Sequence, residues 1–102
     1  MNIAIKQALQ SAVNHKAVCQ VRLKKESNTR HLHPYGLLVN PSGKHMLICW
    51  QDGGHSQSGK LPNFRTLPIE DVSALEITDQ NFASSEKFNP AHKMYKGWEF
   101  HL

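Results

Sequence analysis

The first hydrophobic pattern in the chain has the period of an α-helix. Asn2 is a suitable N-cap residue, and the polar side chains that follow it avoid one face of the helix. The sequence therefore predicts a helix over residues 2–15, one face of which is covered by the rest of the protein. The apolar residues of that face recur at i, i+4, i+7 and i+8: Ile5, Leu9, Ala12 and Val13.

From residue 17 the period falls to two, which is typical of a half-exposed β-strand, and it continues as far as Leu23. The turn sequence Asn40-Pro41-Ser42-Gly43 joins the next two apolar runs into a predicted antiparallel pair. Two later runs are short, and Pro62 and Pro68 favour edge or bulge positions there. The strands after the first are predicted for residues 29–39, 44–51, 61–67 and 72–77.

Two segments lack strand periodicity. Residues 52–60 contain three glycines and no apolar side chain, which predicts a mobile loop. After Asp79, five aromatic residues are scattered among polar ones. This pattern predicts an irregular tail that places its rings on the rest of the protein, and it allows a short helix over residues 90–95.

The order of these elements predicts a mainly β fold. An N-terminal helix is followed by a five-stranded, strongly bent SH3/Sm-like barrel, because short strands at this spacing favour a small barrel over a sandwich. An irregular, aromatic-rich C-terminal tail completes the predicted structure. The whole chain, 1–102, is predicted to be one domain, with the helix at 2–15, the barrel at 17–80 and the tail at 81–102.

Composition is ordinary for a globular domain, and the charge adds one indication of function. Hydrophobic residues make up 39% of the chain and charged residues 20%. The formal net charge is +4 at pH 7, which permits an anionic partner. Part of this excess lies between Arg22 and Arg30, where four basic residues accompany one acid, Glu26. A solvated hairpin end is the alternative explanation for that cluster.

The cysteines and the N-terminus bear on where the protein works. Cys19 and Cys49 each lie in an apolar run, where a free Cys behaves as a small buried hydrophobe. They cannot form a disulfide framework. No stretch approaches the roughly 20 apolar residues of a membrane span, and Lys6 and Gln7 interrupt any signal-peptide core. The sequence predicts a cytoplasmic protein with no membrane contact.

The sequence offers little catalytic chemistry. Residues 54–60 match the spacing of a phosphate-binding P-loop as far as its lysine, but Leu61 and Pro62 supply neither a hydroxyl for Mg²⁺ nor a helix start. His31 and His33 would lie on one face of a strand, and two ligands are too few for a metal site. We predict that the protein is not an enzyme and that it has no metal site and no cofactor.

A set of basic and aromatic residues is the best candidate for a binding site. Basic groups attract phosphates, and ring or guanidinium planes stack on exposed bases of any sequence. The alternative for Tyr35, Trp50 and Phe64 is core packing, and for Arg30 and Arg65 it is a surface salt bridge. The candidate ligand-binding residues are Arg22, Arg30, His33, Tyr35, Trp50, Lys60, Phe64 and Arg65.

The order of these motifs resembles that of the WYL domain of bacterial regulators. An Arg precedes a Pro-x-x-Leu strand, a Gly turn follows, and then come a Phe-Arg strand and an Ile-x-x-Val segment that ends at a Phe. The likeness covers about residues 5–82. At the positions that give the family its name, His45-Met46-Leu47 retains only the Leu. The matching stretches are Arg30 to Leu37, Gly43 to Leu47, Phe64 to Ile69, and Val72 to Phe82.

The resemblance implies an Sm-like barrel that binds a nucleotide or single-stranded nucleic acid and passes that signal to partners in transcription regulation. Arg30 and Arg65 match the recurrent basic residues of the family. Familiar members carry a winged helix ahead of this domain, so a separate protein partner with a DNA-binding domain is expected here. The alternative is a structural protein-protein interaction module or a homodimer without a nucleic-acid ligand, in which the C-terminal aromatics Trp98 and Phe100 pack against a second copy or another protein.

Overall fold

A computed structural model of the protein describes residues 3–54, 63–83, 88, 91 and 95–102. One helix is followed by six strands, and a 3-10 turn at Ile69–Asp71 separates the fourth strand from the fifth. The elements are α1 (Ile3–His15), β1 (Ala17–Leu23), β2 (Arg30–Val39), β3 (His45–Gly54), β4 (Asn63–Pro68), β5 (Val72–Asn81) and β6 (Trp98–His101). The predicted N-terminal helix and the mainly β character of the chain are confirmed.

All six strands belong to one antiparallel sheet, in the order β4-β3-β2-β1-β5, with β6 paired to β2. The central strand β2 pairs with β3 along one edge. Its other edge is shared: β1 pairs with β2 at Arg30 to Leu32, and β6 pairs with it at Gly36 to Leu38. The sheet is therefore built around β2, which contacts three other strands.

Pro34 lies where the second edge of β2 changes partner. A proline has no backbone N–H to donate, so it is rare inside a central strand unless the ladder is interrupted there. The pairing of β1 with β2 ends at Leu32, β6 joins β2 from Gly36, and the β2–β3 register also shifts between Pro34 and Gly36. Because the ladder is interrupted at this point, the absence of a backbone N–H at Pro34 leaves no regular hydrogen bond of the sheet unmade.

Two predictions about irregular segments are wrong for the residues that the structure describes. β3 continues to Gly54, because Arg30 and His31 extend the hairpin ladder opposite Gly54 and Gly53. The predicted mobile loop therefore does not begin at residue 52, and residues 55–60 lie outside the described residues. The predicted irregular tail contains β6, which fills the edge of β2 that β1 leaves unpaired. The short helix suggested for residues 90–95 falls mostly outside the described residues.

The main core lies between α1 and one face of the sheet, which we call the helix face. Leu9, Ala12 and Val13 of the helix pack against alternate residues of the strands, and Phe100 of β6 joins them. Apolar residues recur every three or four positions in α1 and every second position in the strands, so they lie in one layer between the helix and the sheet, as the sequence predicted. The strand residues in this layer include Ala17, Cys19, Val21, Leu32, Leu37, Leu47, Cys49 and Leu67.

α1 has 13 residues and is too short to cross a bilayer; the described part of the chain contains no other helix with the length and hydrophobicity that a crossing needs.

Candidate ligand-binding face

The second face of the sheet carries a layer of aromatic rings, and we call it the aromatic face. Residues that alternate with those of the main core point to this side, and they form a separate buried cluster around Val18, Tyr35 and Phe82. Half-buried rings pack around that cluster. The rings in contact with one another on this face are His33, Tyr35, Trp50, Phe64, Phe82, Phe88, Tyr95 and Trp98.

Three of the predicted site residues form a row across adjacent strands of the aromatic face. His33 on β2 lies opposite Trp50 on β3, and Trp50 lies opposite Phe64 on β4. The Trp50 and Phe64 rings meet edge to face, with centroids 4.8 Å apart and planes at 81°. All three residues are half-buried. The row therefore combines fixed ring orientations with partial access to solvent.

Tyr35 lies beneath this row and is only 1% exposed. Its ring stacks on Phe82 at 5.6 Å with planes 11° apart, and Phe82 in turn stacks on His33 at 4.7 Å and 9°. Tyr35 also meets Phe64 edge to face at 5.7 Å. The core-packing alternative describes Tyr35 well, since its ring supports Phe64 directly and His33 through Phe82, and it offers almost no surface of its own.

Arg30 has a structural environment on the opposite side of the sheet. It is 5% exposed, and its Nε and Nη2 donate to the two carboxylate oxygens of Glu26 at 3.0 and 2.6 Å. Its Nη1 donates to Oε1 of Gln51 at 3.2 Å, and Gln51 is fully buried. This is a salt bridge, but a buried and bidentate one, whereas the alternative considered from the sequence was a surface pair.

Arg65 also lies on the helix side. It stands opposite Cys49 in the β3–β4 ladder, and its Nη1 donates to the carbonyl of Phe64 at 3.4 Å. Because Cys49 belongs to the main core, the alternation of β4 separates Arg65 from its neighbour Phe64. The predicted basic-aromatic set is therefore divided between the two faces: Arg30 and Arg65 do not share a surface with the row of rings.

Arg22 is the predicted basic residue that the structure places toward the aromatic face. It is exposed on β1 and alternates with Val21, a residue of the main core. Gln20, which lies two positions earlier, stands opposite His31 and contacts its ring, with Gln20 Nε2 and His31 Nε2 3.4 Å apart. Lys60, the last predicted site residue, lies outside the described residues.

The polar pair Gln20 and His31 and the rings Phe82 and Phe88 were not predicted as part of the site. The strand period places Gln20 on the polar side of β1, so the alternation of the sequence carries a signal for it. Phe82 and Phe88 follow the last predicted strand without periodicity. Only the folded chain brings Phe82 against His33, and no sequence pattern indicates that contact.

Three rings near the C-terminus, those of Phe88, Tyr95 and Trp98, are in direct contact with one another. Centroid distances are 5.8 Å for Phe88–Tyr95, 6.1 Å for Phe88–Trp98 and 5.5 Å for Tyr95–Trp98. These are direct ring-ring contact distances. Because a cation needs its own volume about 6 Å or less from each ring centre, this trio is packed too closely to enclose one as an aromatic cage.

The thiols and histidines bear on the chemistry open to the described residues. Burial raises the pKa of Cys19 and of Cys49 to about 12, and for Cys49 it outweighs the opposing effect of the nearby Arg30 and Arg65 charges. Both thiols therefore stay protonated at neutral pH and are poor nucleophiles. Within the described residues, no group of three or more His, Cys, Asp or Glu side chains is arranged to hold a metal ion.

A small pocket of about 230 Å³ opens at the β1–β2 turn, away from the row of rings. Lys24 and Lys25 line it together with Glu26 and Asp71. Both charge signs are present in equal number, and Glu26 is already bound by Arg30. The pocket therefore has no charge preference that would select a ligand.

Comparison with known proteins adds no relative: no protein-family model matches the chain, and a search of curated proteins found no match.

Proposed function

We propose that the protein is a non-catalytic, WYL-like regulatory module of the cytoplasm that binds single-stranded nucleic acid, or a nucleotide-containing ligand, on its aromatic face. The observation that carries this proposal is the row of half-buried rings formed by His33, Trp50 and Phe64 on three adjacent strands. Bases stack on such rings without regard to sequence. The fold proposed for the module is an SH3/Sm-like barrel, which the strand order β4-β3-β2-β1-β5 supports.

The electrostatic part of the proposed site is Arg22 rather than Arg30. The guanidinium of Arg30 is 5% exposed and is held by Glu26 and Gln51 on the helix side, so it does not face a phosphate on the other side of the sheet. Arg22 is exposed on the side of the rings, in a protein of net charge +4. It attracts the backbone of a ligand whose bases lie on the rings.

The spacing favours a strand of several nucleotides over a single one. Gln20 is opposite His31, so Arg22 lies about four residues along the strands from the level of His33. At about 3.3 Å per residue this is roughly 13 Å. It corresponds to about four phosphate spacings of a stacked strand, at about 3.4 Å each. A short oligonucleotide spans that distance, whereas a mononucleotide engages only one end of the site.

The test is binding of a length series of oligo(dT) and oligo(U), with cyclic dinucleotides alongside, at low and at physiological salt. The chain has two tryptophans, so Trp98→Phe leaves Trp50 as the single tryptophan whose emission reports on the row of rings. Base stacking on Trp50 is expected to quench its emission, and affinity is expected to rise with length over the first few nucleotides. Replacing Trp50 with Leu keeps an apolar side chain but removes the ring, and should cost about 5- to 150-fold in affinity.

Arg22→Ala should weaken binding and lower the salt dependence by about one counterion. Lys44→Ala is the matched control, because Lys44 is also exposed but lies in the β2–β3 turn at the far end of the sheet. Unchanged binding in folded Trp50→Leu and Arg22→Ala variants would reject this site. Absence of binding to every ligand in the series would reject nucleic acid as the partner.

The alternative in which Trp98 and Phe100 bind a second copy has less support. Phe100 packs on the main core of its own chain, and the Trp98 ring lies over the backbone of Gly36. Both rings therefore already have partners within the chain. A deletion of residues 95–102 would remove β6 and part of the core, so loss of a dimer in that deletion would not by itself favour this alternative.

A further inference from the structure

The outer strand β5 presents a long edge of the sheet. It is the last strand in the sheet order, and within the described residues its ladder is formed with β1 alone. β5 has ten residues, of which seven are exposed. An edge of this length carries a row of backbone N–H and C=O groups that can pair with another extended chain.

β5 has only part of the protection that natural edge strands carry: its pairing with β1 has two register shifts, and no other described strand covers its outer edge. Natural edges are blunted by Lys, by Pro, by bulges or by a covering segment. The sequence Val72–Asn81 contains no Lys and no Pro. The two register shifts in the β1–β5 pair lie toward its ends, and a regular ladder remains between Ala74 and Ile77. Ile77 is 40% exposed, which leaves an apolar side chain beside that ladder.

The charge of this edge indicates what can pair with it. Residues 69–81 contain four of the eight acids of the chain and no Lys or Arg. All four acids are exposed: Glu70, Asp71, Glu76 and Asp79. Two β5 strands placed side by side would bring like charges together, which is destabilising across a strand pair. A strand rich in Lys or Arg would instead place its cations beside these carboxylates.

We infer that β5 is a docking edge for an extended basic segment of a partner protein, which adds to the sheet as a further strand. Main-chain hydrogen bonds to the β5 edge would supply affinity, and the acids would select the sign of charge. The Glu76 side chain lies opposite Gln20 and therefore on the aromatic side of β5, but the backbone edge of β5 is separate from the row of rings. Strand addition at this edge does not require nucleic-acid binding.

The test uses the full chain and a ten-residue peptide of alternating Lys and Thr as the probe. One control peptide has Glu in place of Lys, and a second keeps the Lys but has alternate backbone amides N-methylated. We expect the Lys peptide to bind, and both controls to bind at least tenfold more weakly. The N-methyl peptide separates strand addition from simple charge attraction, because it retains every cation and loses backbone donors.

The matching protein variants carry equal changes in net charge. Glu76→Gln with Asp79→Asn removes two charges from β5 and should weaken the Lys peptide about tenfold. Gln7→Lys with Gln10→Lys adds two positive charges on exposed positions of α1 and should change binding less than threefold. Equal binding of the normal and N-methylated peptides would overturn the inference. So would equal effects of the two double variants.

Discussion

The two faces of the sheet use the same strands for different purposes. The helix face is closed: α1 covers it, and its apolar residues are almost all buried. The buried guanidinium of Arg30 on this face is hydrogen-bonded to Glu26 and Gln51. The aromatic face has a buried centre at Tyr35 and Phe82 but leaves His33, Trp50 and Phe64 half-buried. The edges of these rings pack against one another, and part of their surface remains accessible. Such rings are better suited to stacking on a ligand than to stabilising the fold.

This difference shows that residue type alone does not define a site. Arg22 and Arg30 are both arginines at the same end of the sheet, on neighbouring strands, yet one is exposed and the other is 5% exposed. The alternation of each strand decides which face receives which group.

Replacing Arg30 with Ala should cost about 3–5 kcal/mol of folding free energy, because it removes the salt bridge that Arg30 makes with the buried Glu26 carboxylate. Arg22→Ala, on the other side of the sheet, should change stability by less than about 0.5 kcal/mol. Urea unfolding of the two variants measures both values. A larger loss of stability in Arg30→Ala than in Arg22→Ala would show that the arginine on the helix face stabilises the fold and the arginine on the aromatic face does not.

The double variant Arg30→Met with Glu26→Leu sharpens this test. Removing both charges together avoids keeping the buried Glu26 charge after its Arg30 salt bridge is lost, so the double variant should be more stable than Arg30→Ala. If instead Arg30→Ala folds with normal stability but loses ligand binding, Arg30 is a ligand contact and the division between the faces is wrong.

The strands themselves were largely predictable, because their period of two is a local property of the sequence. Strand β6 was not, since Trp98 to His101 is too short to show a period, and its pairing depends on β1 leaving β2 near Pro34. Nothing in the sequence of the tail indicates that β2 has an unpaired edge beyond Leu32. A strand whose partner edge is created by another part of the chain lies beyond pattern analysis.

The candidate site was predictable in type but not in arrangement. The sequence identifies His33, Trp50 and Phe64 as residues of neighbouring strands, and the structure brings them into one row. The same reasoning grouped Arg30 with them, although Glu26 four residues earlier offered it a partner. Burial of that ion pair depends on Gln51 and on the packing around it, which are tertiary features.

Gly36→Ala tests how β6 is held against β2. A Cβ at this position would lie 2.6 Å from the carbonyl oxygen of Phe100, 2.6 Å from the Trp98 ring and 2.8 Å from Cβ of His101. These contacts are too short, so β6 must shift, at a cost of about 1–3 kcal/mol. The amide of Leu102, which donates to the carbonyl of Tyr35 at 2.9 Å, should then exchange its hydrogen faster.

Gly43→Asn is the matched control for that change. Gly43 has φ +82° with open space around it, and Asn tolerates this backbone conformation better than most residues. It should leave the exchange of the Leu102 amide unchanged. Equal protection of Leu102 in Gly36→Ala and in the parent protein would show that β6 is not held by its close approach to Gly36.

The smallest expected effect concerns Glu99, the side chain that connects β6 to the helix face. Its carboxylate contacts Lys6 of α1 and lies 2.6 Å from Nε2 of His45 on β3. The hydrogen bond from Lys6, together with the Lys6 and His45 charges, holds the pKa of Glu99 below its ordinary value. A carboxyl whose pKa is lowered by folding adds stability above its unfolded pKa and loses it as the pH falls through the folded pKa.

Glu99→Gln should therefore cost less than about 1 kcal/mol at neutral pH, since the group is partly exposed and screened by solvent. The difference from the parent protein should shrink as the pH falls below the ordinary carboxyl range, where the carboxylate of folded Glu99 gains its proton. Glu70→Gln, at an exposed position in the 3-10 turn, should show no comparable loss at neutral pH. A Glu99→Gln deficit that is constant with pH would show that β6 is joined to the helix face by packing alone, with Phe100 rather than Glu99 as the connection.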